Sequence, residues 1–194
     1  MKDENKFSQV VAAIASALAD PTRQIGKTTL VVIDGPSGSG KTTLAKRIGD
    51  HFLSLSTSTL IIHADDLYSG WEDALGESLT ETFTHSLLPG LESGQAYFLP
   101  RFDWILNEYS HPFYQLSADL VIVEGVGAGQ AALRAASALS IWIEVSDEVG
   151  LIRVLNRDGA GIRKEMHNFQ ISQRAHFSKE KTKESADFFF DGAP

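Results

Sequence analysis

Apolar positions follow two rhythms along this chain, and the change from one to the other sets out its elements. Phe7, Val10, Val11, Ile14 and Leu18 recur at i, i+3, i+4, i+7 and i+11, the spacing of one face of an amphipathic helix. Lys2, Asp3, Glu4 and Lys6 cancel in charge, so the run from Val10 to Ala19 reads as a helix packed on the domain surface rather than as a leader peptide. Asp20-Pro21 marks a turn. Thr28 to Ile33 then runs apolar and β-branched without alternation, the pattern of a strand covered on both faces of a parallel sheet. Thr42 to His51 predicts a helix, as does the stretch starting near Glu148. Further strands are predicted over Thr59–His63, Leu120–Val123 and Ser140–Val145, with a short last one over Asp187–Phe190. Strands alternating with helices predict a doubly wound α/β sheet, whose ligands gather at the carboxyl ends of the strands.

The rhythm weakens between Asp66 and Ala118. Leu79 to Leu91 reads as a helix stopped by Pro89-Gly90, and Tyr97 to Tyr114 is rich in aromatics with two prolines. A stretch this long without clear periodicity often carries a binding site. Phe102 and Trp104 fit either that role or a set of core aromatics under a loop.

At 194 residues with no Pro/Gly/Ser linker, the chain reads as one domain, 1–194, with residues 1–20 as a helix lying on it. A net charge of -8 argues against a broad nucleic-acid surface, so an anion site has to be a local pocket. The absence of cysteine excludes disulfides, thiolate catalysis and zinc-thiolate sites, and the six histidines show no HExxH spacing. No run reaches the roughly 18 apolar residues of a membrane span, which leads to the expectation of a soluble, cytoplasmic protein.

The chemistry centres on TTLVVIDGPSGSGKTT, Thr28 to Thr43. Gly35, Gly40, Lys41 and Thr42 stand in the spacing G-x-x-x-x-G-K-[ST], between a predicted strand and a predicted helix. A turn that wraps a polyphosphate must aim successive N–H groups inward, and Gly35, Gly38 and Gly40 let the main chain come close, with Ser37, Ser39 and Thr43 completing the loop. The helix that begins near Lys41 adds its unpaired N–H groups and positive dipole end. Lys41 supplies a charge for the β- and γ-phosphates of ATP, and the Thr42 hydroxyl is placed to ligate Mg²⁺.

Other groups fall at strand ends. Asp65 and Asp66 follow one strand; a carboxylate there can take the proton of an acceptor hydroxyl or hold a water on Mg²⁺, and the competing use of either is a helix N-cap. Glu124 closes Leu120–Val123 in the manner of a Walker B carboxylate that reaches Mg²⁺, or is a solvated strand-end acid. Arg153 and Arg157, spaced i, i+4, project from one side of a helix that runs into Asp158-Gly159-Ala160-Gly161. They suit either a hinged lid over transferring phosphoryl oxygens or a solvated face. The segment Tyr68 to Trp104 is the expected acceptor site, with Arg101 and Asp103 as polar contacts and Phe102 or Trp104 as a flat face.

Taken in order, these motifs resemble the uridine kinase and phosphoribulokinase group of P-loop kinases. IDGPSGSGKTTLA resembles the group's phosphate loop, HADDLY its acidic motif after a strand, and RFDW a substrate-side motif. VIVEG resembles its Walker B segment, RVLNRDG its arginine lid and ADFFFDG its last strand. The resemblance implies a P-loop NTPase fold with a parallel sheet of about five strands, helices on both faces and an arginine lid. It implies transfer of the ATP γ-phosphate to a small-molecule hydroxyl on a nucleoside-like or sugar-like acceptor, with Asp65 matching the general base and Arg153 with Arg157 the lid. Asn156 stands where uridine kinases often have a second adjacent arginine, GAG replaces the charged lid segment, and Phe102-Asp103-Trp104 replaces a motif with histidine and proline. A different class also fits the phosphate loop: an ATP-binding switch with no acceptor. Its guanine-binding form would need N-K-x-D, and the sequence has none.

Overall fold

The strand β1 (Thr29–Asp34) is the centre of a five-stranded parallel sheet of order β2-β5-β1-β6-β7. Its neighbours are β5 (Leu120–Glu124) and β6 (Leu139–Glu144), with β2 (Thr59–His63) and β7 (Phe188–Asp191) outermost. The computed structural model describes residues 2–104, 106, 108–115 and 117–192. Positions 105 and 107 of the aromatic-rich stretch lie outside the described residues.

The unbroken apolar run of β1 serves two layers because successive side chains leave opposite faces of a strand. Leu30 and Val32 join Ile62, Val121 and Val123 on one face. Val31 and Ile33 join Leu120, Ile122, Ile141 and Ile143 on the other. The second face is covered by α1 (Lys2–Leu18), through Val10 and Ile14, and by α2 (Lys41–Ser54), through Leu44, Ile48 and Phe52. These side chains, from Val10 through Phe52, are at most 2% exposed, and burying one such side chain stabilises by about 1.5–3 kcal/mol.

The first face carries a helix that changes pitch. It begins as α3 (Glu77–Glu81), widens into a π-helical segment (Thr82–Leu87) and ends as α4 (Leu88–Ser93), burying Leu79, Phe83, Leu87 and Leu91. The expected stop at Pro89-Gly90 is therefore absent. In the π segment the Leu88 N–H reaches back five residues to Phe83 O, and the wider turn accommodates the Pro89 ring at the start of α4. Past Gly94 the chain forms a separate antiparallel hairpin, β3 (Tyr97–Asp103) and β4 (Glu108–Gln115), with a register shift between Leu99 and Arg101. After the sheet strand β5 come a short α5 (Ala131–Arg134), then α6 (Asp147–Asp158) and α7 (Arg163–Glu180) around strand β6. Among the described residues no helix is long and apolar enough to cross a membrane.

Candidate active site

The carboxyl ends of β1, β2 and β5 open onto one cavity of about 660 Å³. Its floor is the loop between β1 and α2. Gly40 caps α2 with φ 98 and no side-chain cap, so the first N–H groups of the helix have no capping side chain and face the loop. Ser37, Gly38, Gly40, Lys41, Thr42 and Thr43 border the cavity, whereas Gly35 and Ser39 lie behind the wall. Lys41 is buried, and its ammonium donates to Gly35 O and Pro36 O at 2.9 Å each. Burial pulls its pKa below the ordinary lysine value, while the carboxylates of Glu124, Asp34 and Asp65 act in the opposite direction.

One residue that the sequence reading passed over holds this loop in shape. Asp34, the last residue of β1, is 1% exposed, and its carboxylate accepts from Gly35 N (2.7 Å), Gly127 N (3.1 Å) and Gly129 N (2.8 Å). It ties the phosphate loop to the turn after β5. Burial raises its pKa to about 6 against the opposing pull of Lys41 and the three N–H donors. An acid closing a wholly apolar strand immediately before the first loop glycine is the local signal for it.

Glu124 is 3% exposed, and its Oε1 accepts from Thr42 Oγ1 at 2.8 Å and lies 2.6 Å from His63 Nδ1. The solvated-acid reading of Glu124 thus fails. His63, also unforeseen, has its pKa raised chiefly by the hydrogen bond to Glu124. Thr42 and Glu124 set two oxygen donors side by side at the phosphate end. Among the described residues no cluster of three or more His or acidic ligands forms a metal cage. A hydroxyl and one carboxylate, with phosphate oxygens and waters completing the shell, is the donor set that suits Mg²⁺.

Asp65 and Asp66 lie within a 3-10 turn, Ala64–Asp66, whose N-cap is His63, so neither acid has the capping position. Asp65 opens onto the cavity and Asp66 lies outside its wall. The protein around the cleft, and after it the Glu124 and Asp66 carboxylates, push the Asp65 carboxyl above the ordinary carboxylate range.

Both arginines border the cavity from α6. Arg153 donates to Gly38 O at 3.2 Å, and Arg157 makes a two-pronged contact with Asp158 at 2.7 Å. The helix sits hard against the phosphate loop. A Cβ on Gly38 would lie 2.4 Å from Gly150 O, and a Cβ on Gly150 would lie 2.3 Å from Ser37 O, so the two backbones meet where only glycine fits. The GAG segment expected as a hinge is a corner between α6 and α7, with Gly159 at φ 97 followed by a 3-10 turn, Ala160–Ile162. From α7, Gln173 accepts from both Ser37 N (3.1 Å) and Ser37 Oγ (3.2 Å), a brace on the loop that the sequence reading did not identify.

The far end of the cavity is aromatic. Tyr68 and Trp104 line it, with Trp71 from the same expected segment, joined by Met166 and Phe169, which were not foreseen. Phe102 is buried with its ring against Trp104 and Tyr109, the core-aromatic alternative. Arg101 is exposed on β3, and Asp103 accepts from Leu106 N at 3.0 Å; neither borders the cavity.

No protein-family model matches the sequence, and no curated protein matches it significantly. Among solved structures, the chain is similar to a possible uridine kinase from Bacillus stearothermophilus, with a TM-score of 0.70 and 19% identity over 98% of this chain and 100% of that one. It is likewise similar to a candidate fructose transport system kinase from Silicibacter sp. TM1040, with a TM-score of 0.72 and 19% identity over 95% and 98%. At such identity the likeness is one of fold. The sheet order, the phosphate loop and these neighbours together give the chain the P-loop fold of the uridine kinase-like group that its motifs resembled.

Proposed function

We propose that the chain is a phosphotransferase that moves the γ-phosphoryl group of ATP to a hydroxyl of a small molecule. The observation that carries this reading is the continuity of the cavity: Lys41 and Thr42 stand at one end, the aromatic wall at the other, and Asp65 between them. In this reading the aromatic part of the cavity holds the acceptor, a site that an ATP-binding switch does not need.

In this reading the loop N–H groups and the start of α2 hold the β- and γ-phosphates, and Lys41 gives up its carbonyl partners to meet them. Thr42 and Glu124 would hold Mg²⁺, which when bound supplies positive charge at the phosphate oxygens. Asp66, outside the cavity wall, is left for a water-mediated contact to that ion. Asp65 orients the acceptor hydroxyl and takes its proton, and burial, by raising its pKa, makes the carboxylate a stronger base for that transfer. Arg153 and Arg157 stabilise the negative charge spread over the moving phosphoryl group, Arg157 exchanging Asp158 for phosphate oxygens as a lid arginine would.

The test is a screen of hydroxyl compounds for ATP-dependent phosphorylation, with ADP release without acceptor measured alongside. Transfer to an acceptor well above the ATPase rate supports the kinase. Nucleotide-dependent conformational change with no acceptor-stimulated turnover would make the chain an ATP-binding switch.

A further inference from the structure

The polar side chains bordering the cavity come from the phosphate loop and the start of α2, from Asp65 and Glu124 at strand ends, and from Arg153, Arg157 and Asp158 on α6. The wall opposite is made by Tyr68, Trp71, Trp104, Ile162, Met166 and Phe169. Its rings pack on one another: Trp71 and Trp104 centroids are 5.0 Å apart, Trp71 and Phe169 6.1 Å, Tyr68 and Phe169 6.1 Å, and Tyr68 and Trp104 6.3 Å. At those spacings the rings touch and leave no slot between them, so they present a continuous surface rather than a cage. Two polar handles are already committed. The Tyr68 hydroxyl donates to Val126 O at 2.6 Å, and Trp104 Nε1 donates to Asp65 O at 3.2 Å. Among the described residues no Ser, Thr, Asn, Gln or Lys side chain borders this end, and Arg101 and Asp103 lie outside it.

Resting on the kinase reading, we propose that the acceptor is an alcohol on a flat aromatic or heteroaromatic ring, with its reacting hydroxyl on the ring or a one-carbon arm and no other hydroxyl. A ring of this kind lies against the aromatic wall and brings its single hydroxyl to Asp65 at the edge of that wall. A sugar or a nucleoside would bring several additional hydroxyls to a wall where, among the described residues, the Trp71 indole N–H is the one uncommitted polar handle, and each hydroxyl left unpaired weakens binding by about tenfold. In the reaction the alcohol oxygen bonds to the γ-phosphorus as the bond from that phosphorus to the ADP oxygen breaks. The alcohol proton passes to Asp65, and the products are ADP and a phosphate monoester.

The experiment uses the full chain with Mg²⁺ and a non-hydrolysable ATP analogue, and measures the affinity of benzyl alcohol, 3-(hydroxymethyl)pyridine, uridine and D-fructose by calorimetry. The expected order places both ring alcohols about a hundredfold tighter than uridine, which carries two further hydroxyls, and tighter by about 10⁴ than fructose, which carries four. Trp71→Ala weakens the ring alcohols by about tenfold and Trp71→Phe restores them, while affinity for the ATP analogue stays the same in both variants and reports that they are folded. Uridine or fructose binding as tightly as the ring alcohols, no binding of either ring alcohol, or indifference to Trp71→Ala overturns the proposal. Parallel incubations with ATP keep the two readings apart. Ring alcohols that bind in the expected order yet receive no phosphate uphold the ligand class of the aromatic wall and count against the kinase reading.

Discussion

Replacing Asp34 by asparagine tests whether a buried carboxylate holds the phosphate loop, and its effect can be worked out from the geometry. The native group has a pKa of about 6 against an ordinary 3.8, with burial as the leading cause. Between those values the folded chain binds a proton that the unfolded chain has released. Stability from this group is therefore complete below the ordinary value and is lost as pH rises through about 6. The gap is worth about 3 kcal/mol at about 1.4 kcal/mol per pH unit. An asparagine side chain does not titrate, so this loss disappears in the variant. It would also place an amide NH₂ where Asp34 Oδ2 now accepts from Gly129 N at 2.8 Å, and leaving that buried donor unpaired costs about 1–3 kcal/mol. Asp34→Asn should accordingly be less stable than the parent by about 1–3 kcal/mol near pH 4, and equal to it or more stable near pH 7. Urea unfolding followed by tryptophan fluorescence at half-unit steps from pH 4 to 8 measures this. Asp65 and His63, whose shifts have other causes, act on both proteins and drop out of the difference. Two stability curves running parallel across that range would refute the assignment of a raised pKa to Asp34.

Lys41→Ala should weaken ATP binding by about tenfold or more in a nucleotide titration, whereas Thr42→Ala should chiefly raise the Mg²⁺ concentration needed for turnover. Asp65→Asn should lower kcat by about 10² to 10⁴ in steady-state assays with ATP affinity unchanged, because in the proposed reading the group meets the acceptor hydroxyl rather than the adenine. Gly38→Ala, which sets a Cβ 2.4 Å from Gly150 O at a φ of +74, should cost roughly 2–4 kcal/mol by urea unfolding. Gly161→Ala, with nothing within 4 Å, should stay within about 0.5 kcal/mol of the parent.

The sheet and the phosphate loop were legible because their signals are local: β-branched runs without alternation, and an eight-residue glycine pattern between strand and helix. Strand limits differ from expectation by a residue at β1, β5, β6 and β7, each of which ends on an acid, Asp34, Glu124, Glu144 or Asp191. The hairpin β3–β4 was read as irregular, although Tyr97 and Leu99 are buried on either side of an exposed Phe98. The shift between Leu99 and Arg101 breaks the alternation before it is long enough to register. The candidate site was legible where one strand end supplied it, as at Glu124 and Asp65. It was not legible where separate segments converge. Trp71, Met166 and Phe169 come from a loop and from α7, and no spacing within either segment shows that they meet Trp104. Gln173 is a polar residue on a helix that is otherwise mostly exposed, and its use becomes visible only with Ser37 against it.

The helix α7 touches both halves of the cavity, and this makes it a ruler. Met166 and Phe169 stand at the aromatic wall, and Gln173 is fixed to Ser37 in the phosphate loop. Seven residues of α-helix separate the first of these from the last, about 10.5 Å along the axis at about 1.5 Å per residue. The spacing between phosphate loop and aromatic wall is thus written in helical pitch rather than in loop length. A residue inserted between Phe169 and Gln173 would advance one end by about 1.5 Å and turn it by about 100°. Such a chain could keep its sheet, its loop and its wall, and lose the alignment between them.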